Sequence, residues 1–158
     1  MKKLLWGLAI PVMFAALLSV NSFACMDGCT PGYWKQPQHW DSWVGYEPTQ
    51  LLCSTDSNGG VFNCPEGDLE LKNGLLLEEA TLLDALKAGG GGLNAFLRHA
   101  VAALLNGSAI GCDFNGDGGV TAMVNALFDT ESFTAGSEAM ESLKDVFEAE
   151  NDGVCPLD

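Results

Sequence analysis

The sequence predicts a mainly α protein: a small disulfide-stapled helical bundle with an irregular, aromatic-rich N-terminal arm. Three observations predict it. Apolar residues recur at three- and four-residue steps only after about residue 75. Before that point Gly, Pro, Asn, Asp and Cys dominate without a sustained period, and no strand-like run exceeds a few residues. All six cysteines (Cys25, Cys29, Cys53, Cys64, Cys112 and Cys155) lie beyond residue 24, an even number that suits three disulfides with fifteen possible pairings.

Residues 1–24 carry Lys2 and Lys3, an apolar run from Leu4 to Val20, and Ser22-Phe23-Ala24. A positive head, an apolar middle and a small-x-small exit predict a secretory signal peptide, and Gly7 and Pro11 argue against a retained membrane span. Cleavage after Ala24 makes Cys25 the first mature residue, which raises a lipid-anchored cysteine as the rival reading. Lipidation would leave five cysteines, one unpaired, so simple secretion, extracellular or periplasmic, is the expectation.

Removing 24 of 158 residues leaves 134, enough for one domain, 25–158, with its own core. Within it, 25–75 reads as the irregular arm and loop and 76–158 as the helical part. Seven basic against 21 acidic residues give a formal charge of −14, and loss of Lys2 and Lys3 makes it −16. Such a chain repels phosphate backbones and anionic lipid surfaces, so neither nucleic-acid nor peripheral membrane binding is expected; no membrane span is expected in the mature chain either.

The arm opens with "CTPGYWKQPQHWDSW", Cys29 to Trp43. Tyr33, Trp34, Trp40, Trp43 and Tyr46 are candidate ligand-binding residues, because aromatic faces stack on sugar rings while their polar edges stay wet. Gln36, Gln38, His39 and Asp41 would supply hydrogen bonds at the rim. The competing reading makes the rings core. Trp40 and Trp43, three apart after Pro37, then share one buried face of a short helix, with Tyr33 or Tyr46 left exposed. Ser54 to Asp68 is dense in turn formers, and a bridge between Cys53 and Cys64 would close that loop.

Leu76, Leu77, Ala80, Leu83 and Leu86 predict the first long helix, ended by Gly89-Gly90-Gly91-Gly92. These glycines lack the preceding strand and the following Lys-Ser/Thr of a phosphate cradle, and read as a tight helix–helix link. Leu93, Phe96, Leu97, Ala100, Val101, Leu104 and Leu105 then mark a central helix, apolar nearly all round, with Asn106-Gly107 as its stop. Arg98 and His99 on this helix read as an ion-pairing or capping pair for some carboxylate. A third helix is expected near Thr121, with Thr121 as its cap. A fourth runs from about Ser137 to Glu150 on a stripe of Met140, Leu143, Val146 and Phe147, with Cys155 tying down the tail.

The arm motif, "TLLDAL..GGGGLNAFLRHAVAALLN" and the terminal "CPL" together resemble a family of secreted, largely bacterial proteins with a GYWK-type motif and an RHAVAALLN-type helix. The likeness spans Cys29 to Leu157. It departs from the family's pattern in the Cys53–Cys64 loop and after Gly111. The resemblance implies an extracellular or cell-surface protein, brings no enzymatic activity with it, and makes the Asn106-Gly107-Ser108 glycosylation acceptor silent.

"DFNGDGGVT", Asp113 to Thr121, is similar to a calcium loop of the EF-hand or dockerin type. Asp113, Asn115 and Asp117 offer side-chain oxygens, Gly118 the sharp turn, Gly119 its carbonyl, and Thr121 a ligand directly or through water. Position twelve holds Val124 where a carboxylate is usual, and Asp129 lies five residues further on. The expectation is therefore weak Ca2+ binding, with a Kd of about 10⁻⁴ to 10⁻³ M as in extracellular modules, and no other cofactor.

The function these features predict is non-enzymatic binding or assembly at the cell exterior, calcium-assisted. Its partner would be an extracellular polysaccharide, a protein, or a second copy of the chain. A secreted glycan-binding module is the alternative. A hydrolase using paired carboxylates is the reading from another class; no pair is fixed in one cleft by the sequence, and activity lost with Glu78 or Glu79 but surviving replacement of Asp113 and Asp117 would revive it. His99 has no nucleophile motif to serve, since Ser108 and Ser137 lack a G-x-S-x-G frame.

Overall fold

A computed structural model describes residues 27–55, 59–112, 119–130 and 133–157. Residues 1–24, expected to be a signal peptide, together with Cys25 and with Asp113, Asn115, Asp117 and Gly118 of the calcium-like motif, lie outside the described residues. The chain is mainly helical, in the order α1 (Pro31–Trp34), a 3-10 turn (Pro37–Ser42), β1 (Cys53–Ser54), β2 (Phe62–Asn63), α2 (Leu82–Lys87), α3 (Leu93–Ile110), α4 (Gly119–Phe128) and α5 (Glu138–Asn151).

Helix α3 is the centre, and α1, α2, α4 and α5 all pack on it. The alanines between its large apolar residues let neighbours approach from several sides, and Ala100, Ala102 and Ala103 are buried along with Phe96, Leu97 and Leu105. The helix does not stop at Asn106-Gly107. It continues through Ile110 to Gly111, whose φ of 79° supplies the left-handed C-cap. Tertiary burial overrides the local stop signal, because Asn106 is itself a core residue. Phe96 meets Phe128 of α4 with ring centroids 5.9 Å apart and Phe147 of α5 at 6.2 Å, so one phenyl ring joins three helices.

Helix α2 starts six residues later than the leucine spacing suggests. Thr81 forms a capping box: its hydroxyl accepts from the Asp84 N–H at 3.2 Å, and Asp84 accepts from the Thr81 N–H at 3.0 Å. Leu77 is buried from turn backbone instead, and Leu76, in an isolated bridge with Glu70, is half-buried and lines a cavity. Leu77 N donates to Leu69 O at 2.9 Å and Leu52 N to Ala80 O at 2.8 Å, which ties this stretch to two earlier strands of chain. A leucine face at helical spacing is thus half helix and half bridge.

β1 and β2 pair in parallel, Cys53 opposite Phe62 and Ser54 opposite Asn63. Parallel pairing across so short a connection is unusual, and the Cys53–Cys64 disulfide closes it, as the loop composition predicts. A second bridge joins Cys29 to Cys155, across 126 residues, and Cys112 is also disulfide-bonded.

Helix α4 begins at Gly119, so Thr121 lies inside its first turn and does not cap it. Ser137 caps α5, accepting from Met140 N at 3.3 Å. Met140 and Phe147 of the expected stripe are buried, whereas Val146 is exposed and Asn151 takes a buried place beyond them. No helix among the described residues is long and apolar enough to cross a membrane.

Candidate functional site

The N-terminal segment owes its shape to two buried asparagines that the sequence pattern does not flag. Asn106, 1 % exposed, accepts through Oδ1 from Cys29 N at 2.9 Å and from Trp34 Nε1 at 3.1 Å. Its Nδ2 donates to Cys29 O at 3.0 Å and to Asn151 Oδ1 at 2.7 Å. Asn151 in turn donates through Nδ2 to His99 O at 2.9 Å. Every donor of Asn106 is used, so this is a satisfied buried polar network, which fixes a unique packing. It also leaves no accessible amide nitrogen for a glycan at Asn106. Gly28 enters this corner with no room for a side chain: a Cβ there would collide with the Glu150 carbonyl at the end of α5.

The aromatic residues divide. Trp34 is fully buried, edge-on to Tyr33 with centroids 5.1 Å apart. Tyr33 is buried, stacks on His39 at 3.8 Å, and donates its hydroxyl to Leu157 O at 3.3 Å, which ties the segment to the C-terminal tail. Trp43 is buried, with no hydrogen-bond partner for its Nε1 among the described residues, and Tyr46 is half-buried. Trp40 is the exposed ring, at 36 %. The expectation that Trp40 and Trp43 share a buried face holds for Trp43 alone. The 3-10 turn puts about three residues in each revolution, yet Trp40 lies inside the turn and Trp43 follows it in extended backbone with ψ 121°, so the two rings diverge. Around Trp40, Gln36, Gln38 and Asp41 are exposed and His39 is half-buried.

Of the calcium-like motif, Gly119 and Thr121 are described. Gly119 has φ 60° and Thr121 follows in the first turn of α4, so the motif runs straight into a helix. Val124 at position twelve is fully buried in the core. Asp129 is occupied as well: both its oxygens accept from Asn63 Nδ2 at 3.2 Å, while Asn125 Oδ1 accepts from Asn63 N at 2.8 Å. Neither residue supplies the bidentate carboxylate that a strong calcium loop uses. No group of three or more metal-ligating side chains occurs among the described residues.

Among the described residues, Arg98 serves carbonyls and not a carboxylate. Its guanidinium donates to Ala88 O and, from both terminal nitrogens at 3.0 Å, to Gly90 O, clamping the α2–α3 link. His99 lies half-buried against α5, with no partner for its Nδ1 among the described residues. Burial lowers its pKa below 6.5; Glu148 pulls it up, Arg98 and Lys144 push it down, and Asp152 raises it slightly. Lys144 sits between Asp145 and Glu148, 2.9 Å from the latter, and its pKa is raised by these two hydrogen bonds. The Lys144 contact holds Glu148 below the usual carboxylate range.

Glu78 lines a cavity of about 290 Å³ with Glu66, Asp68, Leu69 and Leu77, beside the Cys53–Cys64 bridge. Glu79 is exposed and not part of that lining. Compared with protein-family models, with characterised proteins and with solved structures, the chain matches none.

Proposed function

We propose that this is a secreted, non-enzymatic protein that acts by binding or assembly at the cell exterior, through the face that carries Trp40. In this reading the helices form a disulfide-stapled bundle, residues 1–24 are its removed signal peptide, and the aromatic N-terminal arm is its working surface. The observation that supports it is the contrast among the tryptophans. Trp34 and Trp43 are buried on either side of the 3-10 turn, and Trp40 is held out from that turn at 36 % exposure. An exposed indole on a fixed support, rimmed by amides and a carboxylate, suits stacking on an apolar plane such as a sugar ring. Its anchoring lowers the ordering cost that binding would otherwise incur.

Calcium held by Asp113, Asn115, Asp117, Gly119 and Thr121 would assist, weakly, because the loop lacks its carboxylate at position twelve. Calorimetric titration of the mature protein then shows a Kd in the range of about 10⁻⁴ to 10⁻³ M; no heat at tens of millimolar Ca2+ refutes that part. The main reading is tested by screening the oxidised protein and its Trp40→Ala variant against immobilised extracellular polysaccharides, with sedimentation velocity run across concentration, with and without chelator. Binding or self-association that the variant loses supports it. A wild-type protein that neither binds nor associates, or a variant that behaves as wild type, sinks it.

A further inference from the structure

Outside the leader the chain has five basic residues, Lys35, Lys72, Lys87, Arg98 and Lys144. Three of them converge on one place. Lys72 and Lys87 line an open cavity of about 470 Å³ with Asn73, Asp84, Ala88 and Gly89. Arg98 reaches the same link from below through its bonds to Ala88 O and Gly90 O. The Lys72 side chain lies over Gly90, where an added Cβ would stand 3.3 Å from Cδ and 3.7 Å from Nζ.

The charges here are not used up within the fold. Among the described residues, Lys144 is the only cation in a salt bridge. Asp84 is the one carboxylate in the lining, and it is committed to Thr81, accepting from N at 3.0 Å and from Oγ1 at 2.6 Å. Two exposed lysines therefore line the cavity with one carboxylate, itself held by its bonds to Thr81, while the Arg98 guanidinium braces the adjoining link through the Ala88 and Gly90 carbonyls. Placement of the Lys72 backbone is fixed as well, since Lys72 N donates to Asn94 Oδ1 at 2.9 Å at the start of α3.

We propose that this cavity binds the anionic group, a carboxylate or a phosphate, of a small ligand. The size of the ligand follows from the charge of the whole chain. A long polyanion feels the net charge of −16, whereas a small anion within a few ångströms of Lys72 and Lys87 is screened from distant carboxylates beyond a Debye length of about 8 Å at physiological salt. The site uses none of the aromatic residues, so it stands or falls apart from the Trp40 face.

The test is titration of the mature, oxidised, ¹⁵N-labelled protein at constant ionic strength with galacturonate, with inorganic phosphate, and with galactose as the uncharged analogue of the first. Saturable shifts at Lys72, Asn73, Gly89 and Gly90 are expected for at least one anion and not for galactose, and the anion that binds identifies the source of the group. Lys72→Gln and Lys87→Gln, both at exposed positions, each weaken binding by roughly five- to tenfold, the loss of one close charge pair. Lys35→Gln leaves it unchanged. Absence of saturation with both anions overturns the proposal, as does equal weakening by Lys35→Gln, which would mean a diffuse ionic effect.

Discussion

Replacing Asn106 by Ala tests whether the N-terminal segment is held by the buried amide network or merely covered by it. The substitution removes four hydrogen bonds at once and leaves Cys29 N, Cys29 O, Trp34 Nε1 and Asn151 Oδ1 without their partner. A buried group stranded in this way costs about 1–3 kcal/mol. Water entering the space left by the amide recovers part of that, so the lower figure is appropriate, and four groups give about 4 kcal/mol. Against a total stability of about 5–15 kcal/mol this is a large fraction. Urea unfolding of the oxidised protein, followed by tryptophan emission, reads it directly. Asn151→Ala severs one of the same bonds and also frees His99 O. The two substitutions share a bond, so their costs combine with a coupling of about 1 kcal/mol in a double-mutant cycle. A loss below about 1 kcal/mol for Asn106→Ala, or strict additivity with Asn151→Ala, refutes the network as the device that fixes the segment.

Three further outcomes are expected. His99 has a pKa lowered by burial, so the unfolded chain takes up its proton first on acidification. The stability contributed by the neutral ring is complete above about pH 6.5 and declines as pH falls through the folded-state value; His99→Gln flattens that window in urea melts between pH 7 and 5, and an unchanged slope contradicts the burial. The Cys29–Cys155 bridge closes a far longer loop than Cys53–Cys64, so Ser substitution of the first pair costs about 5 kcal/mol and of the second about 3 kcal/mol on loop-entropy grounds; calorimetric midpoints that fall in the opposite order reject that account. Acrylamide quenching of the mature protein is biphasic, one accessible and two protected indoles, and Trp40→Phe removes the accessible phase; persistence of ready quenching in that variant places Trp34 or Trp43 in water.

The helical part was legible where burial and periodicity agree. α3 and α5 appear with the expected apolar residues because a long stripe is redundant: losing Val146 to solvent does not change which face Met140 and Phe147 bury. Two signals misled because the chain uses them for something else. Leu76 and Leu77 keep helical spacing, yet Thr81 and Asp84 provide a stronger start, and backbone bonds to Leu69 and from Leu52 claim the residues before it. Asn106-Gly107 has the composition of a helix stop, but its amide is spent on residues 77 and 72 positions earlier in the chain, a contact that no local pattern encodes. The same holds for the aromatic segment. That some rings would be core follows from composition, while which ring stays outside depends on where a 3-10 turn ends.

That last detail bears on why a segment with so little regular structure can present a surface at all. A four-residue helix and one 3-10 turn would not hold a shape in isolation. Their order is imposed from outside: Cys29 is bonded to Cys155 and gripped through both N and O by Asn106, Trp34 is plugged into α3, and Tyr33 is bonded to the tail at Leu157. Each anchor lies on the N-terminal side of Trp40, and Trp43 closes the other side by burial. Val44 O also accepts from the Ser108 hydroxyl, which returns the chain to α3. The exposed indole therefore sits at the crest of a loop pinned at both feet. Were Trp40 only a ring left over from core packing, loosening those feet would lower stability and leave any binding by the exposed indole unchanged. If the feet exist to pre-order it, Asn151→Ala, measured below its unfolding transition, weakens binding through Trp40 as well as stability, by the entropy that the ring then loses on contact.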